Sequence, residues 1–350
     1  MPPSHSLQIT LAHRPTSGII PNHTFAPVTV PVPSPSSLAP GHLLLETLYL
    51  SLDPAMRGWI EDKRSYLPPV KIGAVMRAYG LARVLASTSS RAQPGDLVAG
   101  TFGMAEVVVV PEALVEEVNP ATTPGGKVTD VLGVLGMTGL TAYFGMTKIG
   151  APKAGETVVV TAAAGATGSV AAQIAKIAGA RVVGIAGSEE KVRWLVEEVG
   201  VDVGLDYNDP EFKAKFARAT PNFVDVFWDN VGGEQLEMGL ARANKFARFV
   251  MCGGISQYNE KEKKGPKNYL AIVSMRIKMQ GFIVLDHVDE YAEARKQLAQ
   301  WLSEGKIKRK ETLIKGGLKN VEEAFECLFK GKNIGKLLLE VKAPEEASKL

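Results

Sequence analysis

The stretch Thr157–Lys191 constrains the fold more than any other part of the chain, because it reads as strand, glycine turn, helix and second strand. Thr157–Thr161 is a short run rich in β-branched residues, which is typical of a buried parallel strand. Small and apolar residues follow over Ser169–Ala178, Gly179 ends this predicted helix, and Arg181–Ala186 has the composition of the next strand. The pattern predicts a βαβ unit and an α/β fold built on a doubly wound parallel sheet.

The glycine turn of this stretch contains Gly165 and Gly168. A glycine turn before a helix presents unpaired backbone N–H groups and the positive end of the helix dipole, which suit a pyrophosphate. The run departs from G-x-G-x-x-G, since Ala163 stands at the first glycine position. We predict a dinucleotide site here; the alternative is a tight structural turn of an α/β core.

The end of the second strand bears on the choice of nicotinamide cofactor. An NAD site usually has Asp or Glu at this point to accept hydrogen bonds from the ribose hydroxyls, whereas this chain has Gly187 and Ser188, with Lys191 just beyond. Ser188, the helix N-terminus and Lys191 can stabilise a 2′-phosphate. The sequence therefore favours NADP(H). The alternative is that Lys191 is an exposed helix lysine without a ligand.

Composition narrows the class of protein. The chain has 350 residues, which suggests two domains, and it contains 45% hydrophobic and 22% charged residues, as soluble globular proteins do. A net charge of +3 is too small to indicate nucleic-acid binding, and no apolar run approaches the roughly 20 residues of a membrane span. We expect no nucleic-acid partner and no membrane segment. Cys252 and Cys327 are the only cysteines, and with no apolar core of signal-peptide length at the N-terminus we expect a reducing, cytoplasmic location.

The chain divides by pattern into three segments. Residues 1–127 contain short strands broken by glycine and proline, which is typical of a mostly β domain. Residues 128–304 have the pattern of alternating strands and helices. Residues 305–350 again resemble the mostly β pattern of residues 1–127 and contain the predicted apolar strand Leu337–Val341. We predict a nucleotide domain inserted into a discontinuous β domain. Its later strands are predicted at Val203–Asp206, Phe223–Trp228, Phe246–Cys252 and Ile277–Leu285, followed by a helix at Val288–Glu304.

Two residues that follow predicted strands can take part in chemistry at the cofactor side of the sheet. Tyr258, after the fifth strand, is the candidate catalytic acid–base group; the alternative is a tyrosine that packs its loop with the hydroxyl on the backbone. Asn230, after the fourth strand, can meet the cofactor; the alternative is an asparagine chosen for a left-handed turn. Neither cysteine has metal-ligand spacing to a partner, so we expect no metal site.

Seven runs along nearly the whole chain carry a family resemblance. The chain resembles the zinc-independent medium-chain dehydrogenase/reductases, in particular the branch of prostaglandin reductases, leukotriene hydroxydehydrogenases and alkenal double-bond reductases. This resemblance implies a GroES-like substrate domain with an inserted Rossmann domain, and NADPH-dependent reduction of the C=C bond of α,β-unsaturated aldehydes and ketones. The matching runs are Leu50–Arg57, Leu135–Met146, Ala162–Lys176, Val182–Lys191, Asp229–Glu234, Cys252–Asn259 and Gly331–Lys336.

The resemblance also implies a set of cofactor-binding residues. Those at the pyrophosphate turn are Gly165, Ala166, Thr167 and Gly168, and those at the 2′-phosphate end are Lys191 and Tyr207, beside Ser188. The remaining residues implied are Asn230, Cys252, Gly253, Gly254, Ile255, Ser256, Gln257, Phe282, Ile283, Val284 and Asn333, with Tyr258 hydrogen-bonding the carbonyl or relaying the proton.

One departure from the branch concerns the substrate. The branch typically reads D-P-Y-M-R, with a tyrosine at the substrate pocket, and this chain has Ala55 there, which implies a wider pocket or a lost polar contact. Gly73–Met76 stands where alcohol dehydrogenases have their zinc-binding histidine. The alternatives to an enone reductase are a quinone reductase of the same superfamily and an NADPH-binding protein without catalysis. The resemblance further implies a homodimer through the strand at Ile277–Leu285.

Overall fold

The computed structural model describes residues 3–118 and 126–343. These residues form two compact units. The terminal unit contains the residues up to Leu132 and those from Glu311 onward, and the central unit spans Gly133–Lys310. The sequence pattern had put the divisions at 127/128 and 304/305. No helix within the described ranges is long and apolar enough to cross a membrane.

The first part of the terminal unit is mostly β structure. Its long third strand is buried along almost its full length, and it pairs antiparallel with the fourth and sixth strands. Alternate leucines of the third strand pack into the core of this unit. The elements are β1 (His5–Leu11), β2 (Phe25–Pro31), β3 (His42–Ser51), α1 (Met56–Trp59), β4 (Tyr79–Ser87), β5 (Leu97–Thr101), β6 (Val107–Pro111) and β7 (Val115–Glu117).

The central unit is built on a six-stranded sheet. Its strands are β8 (Thr157–Val160), β9 (Arg181–Ala186), β10 (Val203–Asp206), β11 (Val224–Asp229), β12 (Ala243–Met251) and β13 (Lys278–Gly281). Their order is β10-β9-β8-β11-β12-β13, and every neighbouring pair is parallel. This is the doubly wound order, which confirms the predicted fold class.

Helices connect these strands. They are α2 (Met137–Phe144), α3 (Ala166–Ile177), α4 (Glu189–Trp194), α5 (Phe212–Ala219), α6 (Gly233–Ala241), α7 (Ile255–Tyr258), α8 (Ala271–Ser274) and α9 (Tyr291–Ser303). Because ligands of such sheets bind beyond the carboxyl ends of the strands, the loops after β8, β9, β11 and β12 form the side of the sheet where a ligand is expected.

The prediction for the sixth strand was wrong beyond Gly281. The strand ends there, and residues Val284–Glu290 form a short 3₁₀ segment, so the following helix begins at Tyr291 and not at 288. The cause is long-range packing. The ring of Phe282 lies 6.0 Å from that of Trp228, edge to face, and it fills the space beside Gly145, where an added Cβ would come within 2.6 Å of it.

The C-terminal segment completes the sheet of the terminal unit. It contains β14 (Glu311–Ile314), α10 (Val321–Phe329) and β15 (Lys336–Glu340), and β15 pairs with β14 on one side and β3 on the other. Lys336 is buried, and its ammonium donates to Asp53 Oδ1 at 2.7 Å and to the Leu52 carbonyl at 3.0 Å. Two runs of the family resemblance, far apart in sequence, therefore meet in one ion pair.

Candidate active site

The glycine turn after β8 is shaped by backbone contacts. Ala162 has a left-handed backbone (φ 46°), and its carbonyl accepts a hydrogen bond from Gly165 N–H at 3.0 Å. A Cβ on Gly168 would lie 2.3 Å from that carbonyl oxygen, so only glycine fits this position. The first helical bond of α3 runs from Ser169 N–H to the Gly165 carbonyl, at 3.0 Å. The amides of residues 166–168 have no partner within the helix, which is the arrangement that binds a pyrophosphate.

Tyr207 lies over Gly187 at the end of β9. A Cβ on Gly187 would come within 2.5 Å of the Tyr207 hydroxyl, so packing of this ring excludes a side chain here. Ser188 begins α4 as its N-cap and accepts the Lys191 N–H at 3.3 Å. The structure therefore brings Ser188, Lys191 and Tyr207 together at this strand end. An aspartate at Gly187 would displace Tyr207, which makes Lys191 the better position for a test of cofactor choice.

We expect Lys191→Ala to weaken NADPH binding by roughly tenfold and to leave NADH binding within about twofold. A charge-assisted bond to the 2′-phosphate is lost, whereas NADH has no such phosphate. The measurement is the Kd of each nucleotide by fluorescence titration. Arg193→Ala is the control, because the Arg193 side chain is on the same helix and is 60% exposed. Equal losses for both nucleotides would remove Lys191 from 2′-phosphate recognition.

Asn230 joins the ends of β11 and β8. Its Nδ2 donates to the Thr161 carbonyl at 2.7 Å, and its Oδ1 accepts the indole N–H of Trp228 at 3.1 Å. The left-handed residues of this turn are Gly232 and Gly233, with φ of 71° and 56°, so a left-handed turn is not the reason for an asparagine here. The amide instead fixes the two strand ends that border the nucleotide turn.

Asp229 is the residue that sequence reasoning missed. It is completely buried, and its Oδ1 accepts the N–H groups of Val231 and Gly232 at 2.9 and 2.8 Å. Its Oδ2 is buried with no hydrogen-bond partner among the described residues. Burial raises the pKa of the Asp229 carboxyl. Burial and the Asp229 charge also raise the pKa of the Cys252 thiol to about 12, so this thiol is unreactive at neutral pH.

We expect the melting temperature of the Asp229→Asn variant, measured relative to that of the wild-type protein, to increase as pH rises from about 4 to about 7. Because the folded-state pKa of Asp229 is raised, the native state binds this proton more tightly than the unfolded state does. The stabilising contribution is complete at low pH and is lost as pH rises through the folded-state pKa. Melting temperatures across this range test the point, with the exposed Asp289→Asn as control. A difference that does not change with pH would contradict it.

The loop after β12 is held against the loop after β11. The Asp229 carbonyl accepts the Cys252 and Gly253 N–H groups at 2.9 and 3.0 Å, and the Val231 carbonyl accepts the Ser256 hydroxyl at 2.6 Å. Through these bonds Asp229 and its neighbours position the segment Cys252–Tyr258. The signal for this arrangement is the run D-N-V-G-G, in which two glycines follow a carboxylate that ends a strand.

Tyr258 ends α7 with its hydroxyl on the backbone of this loop. The hydroxyl oxygen accepts the Gly254 N–H at 3.2 Å, and a Cβ on Gly253 would lie 3.0 Å from that oxygen. This is the packing that the sequence left open as the alternative. A hydroxyl that accepts one hydrogen bond can still donate its own proton, so the geometry is compatible with a donor role.

The remaining residues implied by the resemblance lie in different surroundings. Phe282 packs inward on Trp228, and the carbonyl of Val284 accepts the Tyr291 hydroxyl at 3.1 Å. Ile283 immediately precedes the 3₁₀ segment. Asn333 belongs to the terminal unit, is 8% exposed and closes its own turn through Nδ2 to the Gly335 carbonyl at 2.9 Å.

The described residues provide no cluster of side chains suited to ligate a metal ion. Residues 3–118 and 126–343 contain no group of three or more histidine, cysteine, aspartate and glutamate side chains that could hold an ion. A catalytic zinc needs about three such ligands. Within the described part of the chain, Cys252 and Cys327 do not form a disulfide.

Two family models match the chain. Residues 7–118 match the N-terminal domain of oxidoreductase, and residues 166–303 match a model described as zinc-binding dehydrogenase. The described residues do not provide the zinc ligands that the second description implies.

Characterised relatives cover most of the chain. It is 41% identical to the NADPH-dependent curcumin reductase of Escherichia coli over 86% of this chain and 88% of the relative. It is 36% identical to the NADP⁺-dependent 2-alkenal reductase of Nicotiana tabacum over 85% and 87%. The crystal structure of CurA from Vibrio vulnificus in complex with NADPH superposes with a TM-score of 0.89 at 38% identity, covering 97% of this chain and 100% of CurA.

Proposed function

The chain belongs to the zinc-independent branch of the medium-chain dehydrogenase/reductase family and is an NADP(H)-binding oxidoreductase, and on that premise we propose that it reduces the C=C bond of α,β-unsaturated aldehydes and ketones. The observation that carries the proposal is the Tyr258 hydroxyl, held by Gly254 N–H in the loop at the carboxyl end of β12. The glycine turn that binds the nucleotide follows β8 in the same parallel sheet, so it lies, like this loop, at the carboxyl ends of the strands.

The residues at this edge fit the cofactor. The unpaired amides of residues 166–168 would hold the pyrophosphate, and Ser188, Lys191 and Tyr207 would hold the 2′-phosphate end. Asn230, the segment Cys252–Tyr258 and the segment Phe282–Val284 would line the rest. When bound, NADPH supplies the hydride.

The chemistry of an enone defines what the chain must provide. A C=C bond accepts hydride at its β-carbon only when a conjugated carbonyl takes up the negative charge as an enolate. The Tyr258 hydroxyl would donate a hydrogen bond to that oxygen, an effect that can contribute a few kcal/mol in a site shielded from water. A proton then adds to the α-carbon, which leaves a saturated carbonyl product. The Asp229 carbonyl holds Cys252 and Gly253, and the next residue, Gly254, donates its N–H to the Tyr258 hydroxyl, so the donor is oriented before the charge develops.

The names of the relatives support this substrate class. Curcumin is a conjugated diketone and 2-alkenals are conjugated aldehydes, so both named substrates contain a C=C bond next to a carbonyl. An enone needs no metal to accept hydride once its carbonyl oxygen has a hydrogen-bond donor.

The test is NADPH oxidation with a 2-alkenal, with a quinone and with no added substrate. We expect turnover of the 2-alkenal and a product that has lost the C=C bond and kept the carbonyl. Turnover of the quinone alone would identify a quinone reductase. Tight NADPH binding with no turnover of either compound would identify a binding protein without catalysis.

The proposal includes a homodimer formed through the edge of the central sheet. In the described part of the chain β13 pairs only with β12, so its outer edge is available to a second copy. Phe246, Leu270 and Val273 are 65–72% exposed, and Phe246 N–H bonds to Met275 beside the start of β13. Val273→Asp should convert a dimer to monomers in analytical ultracentrifugation, whereas a wild-type monomer would refute the dimer.

A further inference from the structure

Gln173 is a buried polar residue in α3, the helix that begins at the glycine turn. Its side chain is 2% exposed, and its neighbours along the helix, Ala172 and Ile174, are buried and apolar. Its Nε2 donates to the carbonyls of Ser169 and Lys308 at 3.0 and 2.9 Å, and its Oε1 accepts the Lys308 N–H at 2.6 Å. A buried amide is costly without hydrogen-bond partners, and here the backbone of one residue outside the helix supplies two of the three bonds.

Lys308 begins a short segment, Lys308–Lys310, which we name the exit segment because it is the last part of the central unit before β14. At its other end, the Lys310 ammonium lies 5.9 Å from the centroid of the Trp194 ring, within the range of a cation–π contact. Trp194 is buried and is the last residue of α4. The exit segment therefore bridges α3 and α4.

The same two helices carry the residues that would bind NADPH. Residues 166–168 open α3 and face the pyrophosphate in the proposed site, and Ser188 and Lys191 lie at the start of α4, at the 2′-phosphate end. Bound NADPH would thus bridge the N-termini of the two helices, whereas the exit segment bridges them further along, about two turns into α3. Each bridge restricts the motion of one helix against the other, so the second bridge to form loses less conformational entropy.

We propose that Gln173 is a positioning residue for the cofactor. By holding the exit segment across α3 and α4 it strengthens NADPH binding, and bound NADPH in turn holds the exit segment in place. Because coupling between two binding events is reciprocal, both effects have the same size. This inference uses the cofactor-binding residues proposed above, but it does not depend on the substrate that the enzyme reduces.

Hydrogen exchange at the Lys308 amide, resolved by mass spectrometry with fragmentation, tests the coupling in the full-length protein. We expect saturating NADPH to slow this exchange roughly fivefold in the wild-type protein. In Gln173→Met, which keeps the length of the side chain and loses the amide, exchange should be fast with and without NADPH. The Kd of NADPH for this variant should rise by the factor measured in the wild-type exchange.

A second variant tests the other end of the bridge. Lys310→Met removes the cation from the Trp194 ring and leaves the bonds of Gln173 in place. The Lys308 amide should therefore still exchange slowly without NADPH, but NADPH should no longer slow it further. This variant also decides the question if Gln173→Met does not fold, because a wild-type response to NADPH in Lys310→Met would overturn the proposal.

Two further variants are controls. Lys176→Met makes the same replacement elsewhere in α3, where Lys176 pairs with Asp202 at 2.8 Å, and Lys308→Ala keeps the backbone atoms that Gln173 binds. Both should retain the wild-type exchange response and Kd. Exchange at Lys308 that NADPH does not change in the wild-type protein, or a wild-type Kd in Gln173→Met, would overturn the proposal. No substrate enters this test, so either result leaves the proposed reduction of enones standing.

Discussion

Gly168→Ala should abolish useful NADPH binding, with a Kd raised by about 100-fold or more, equivalent to about 3 kcal/mol. The added Cβ would meet the Ala162 carbonyl oxygen at 2.3 Å and the Ala163 Cα at 2.9 Å. Both atoms belong to the backbone, so no side-chain rotation relieves the contact. The turn must open, which moves the amides of residues 166–168 away from the pyrophosphate. Nucleotide titration measures the effect, and thermal melting reports the accompanying strain.

A graded pair of variants separates the local contact from a general effect of alanine. A Cβ on Gly165 would lie 3.2 Å from the same oxygen, a contact that a shift of a few tenths of an ångström relieves, so Gly165→Ala should bind NADPH more weakly by only a few-fold. Gly281→Ala should have no effect on Kd, because nothing lies within 4 Å of its Cβ. Similar Kd values for the Gly165 and Gly168 variants would mean that the turn does not contact the pyrophosphate.

Tyr258→Phe should lower kcat for a 2-alkenal by about 100-fold and leave the Kd of NADPH nearly unchanged. The variant keeps the ring and loses only the hydroxyl, so the developing negative charge on the carbonyl oxygen loses a donor. Stopped-flow measurement of NADPH oxidation isolates the chemical step from product release.

The control for this variant accounts for the second bond of the hydroxyl. Tyr258→Phe also removes the acceptor of Gly254 N–H, so part of any loss could come from a shifted loop. Ser256→Ala disturbs the same loop by removing the bond to the Val231 carbonyl and leaves the Tyr258 hydroxyl in place. If Ser256→Ala lowers kcat as much as Tyr258→Phe does, loop position and not proton donation explains the effect.

Local sequence signals were sufficient for the nucleotide unit. β-Branched runs, glycines at strand ends and the Ser188 cap each act within a few residues, so the order β8-α3-β9 and the six parallel strands could be predicted. The point at which β13 ends could not be predicted from local signals. Phe282 leaves the strand direction to pack on Trp228 and Gly145, which come from two other elements, and no nearby residue signals that contact.

The sequence could predict which residues lie at the candidate site, but not the contacts that they make there. Tyr258 and Asn230 follow strands, which places them at the carboxyl edge of the sheet. Asp229 Oδ2 is buried without a hydrogen-bond partner among the described residues, and Gly254 N–H bonds the Tyr258 hydroxyl. Both features depend on how the loops after β11 and β12 pack against each other, which the sequence does not show. Likewise, the sequence shows that position 187 lacks a carboxylate but not that Tyr207 covers it.

The pairing of β15 with β3 has a consequence for synthesis on the ribosome. The central unit is complete once residue 310 has emerged, whereas the terminal unit still lacks β14, β15 and the Lys336 partner of Asp53. At about 5–20 residues per second, synthesis from Ser51 to Lys336 takes roughly 15–60 s, and Tyr49–Ser51 of β3 has one edge open for that time. In a nascent chain stalled with residue 310 just outside the ribosome, the central unit should therefore resist protease while the terminal unit is still cleaved. The cofactor-binding unit would therefore fold before the terminal unit can complete its sheet.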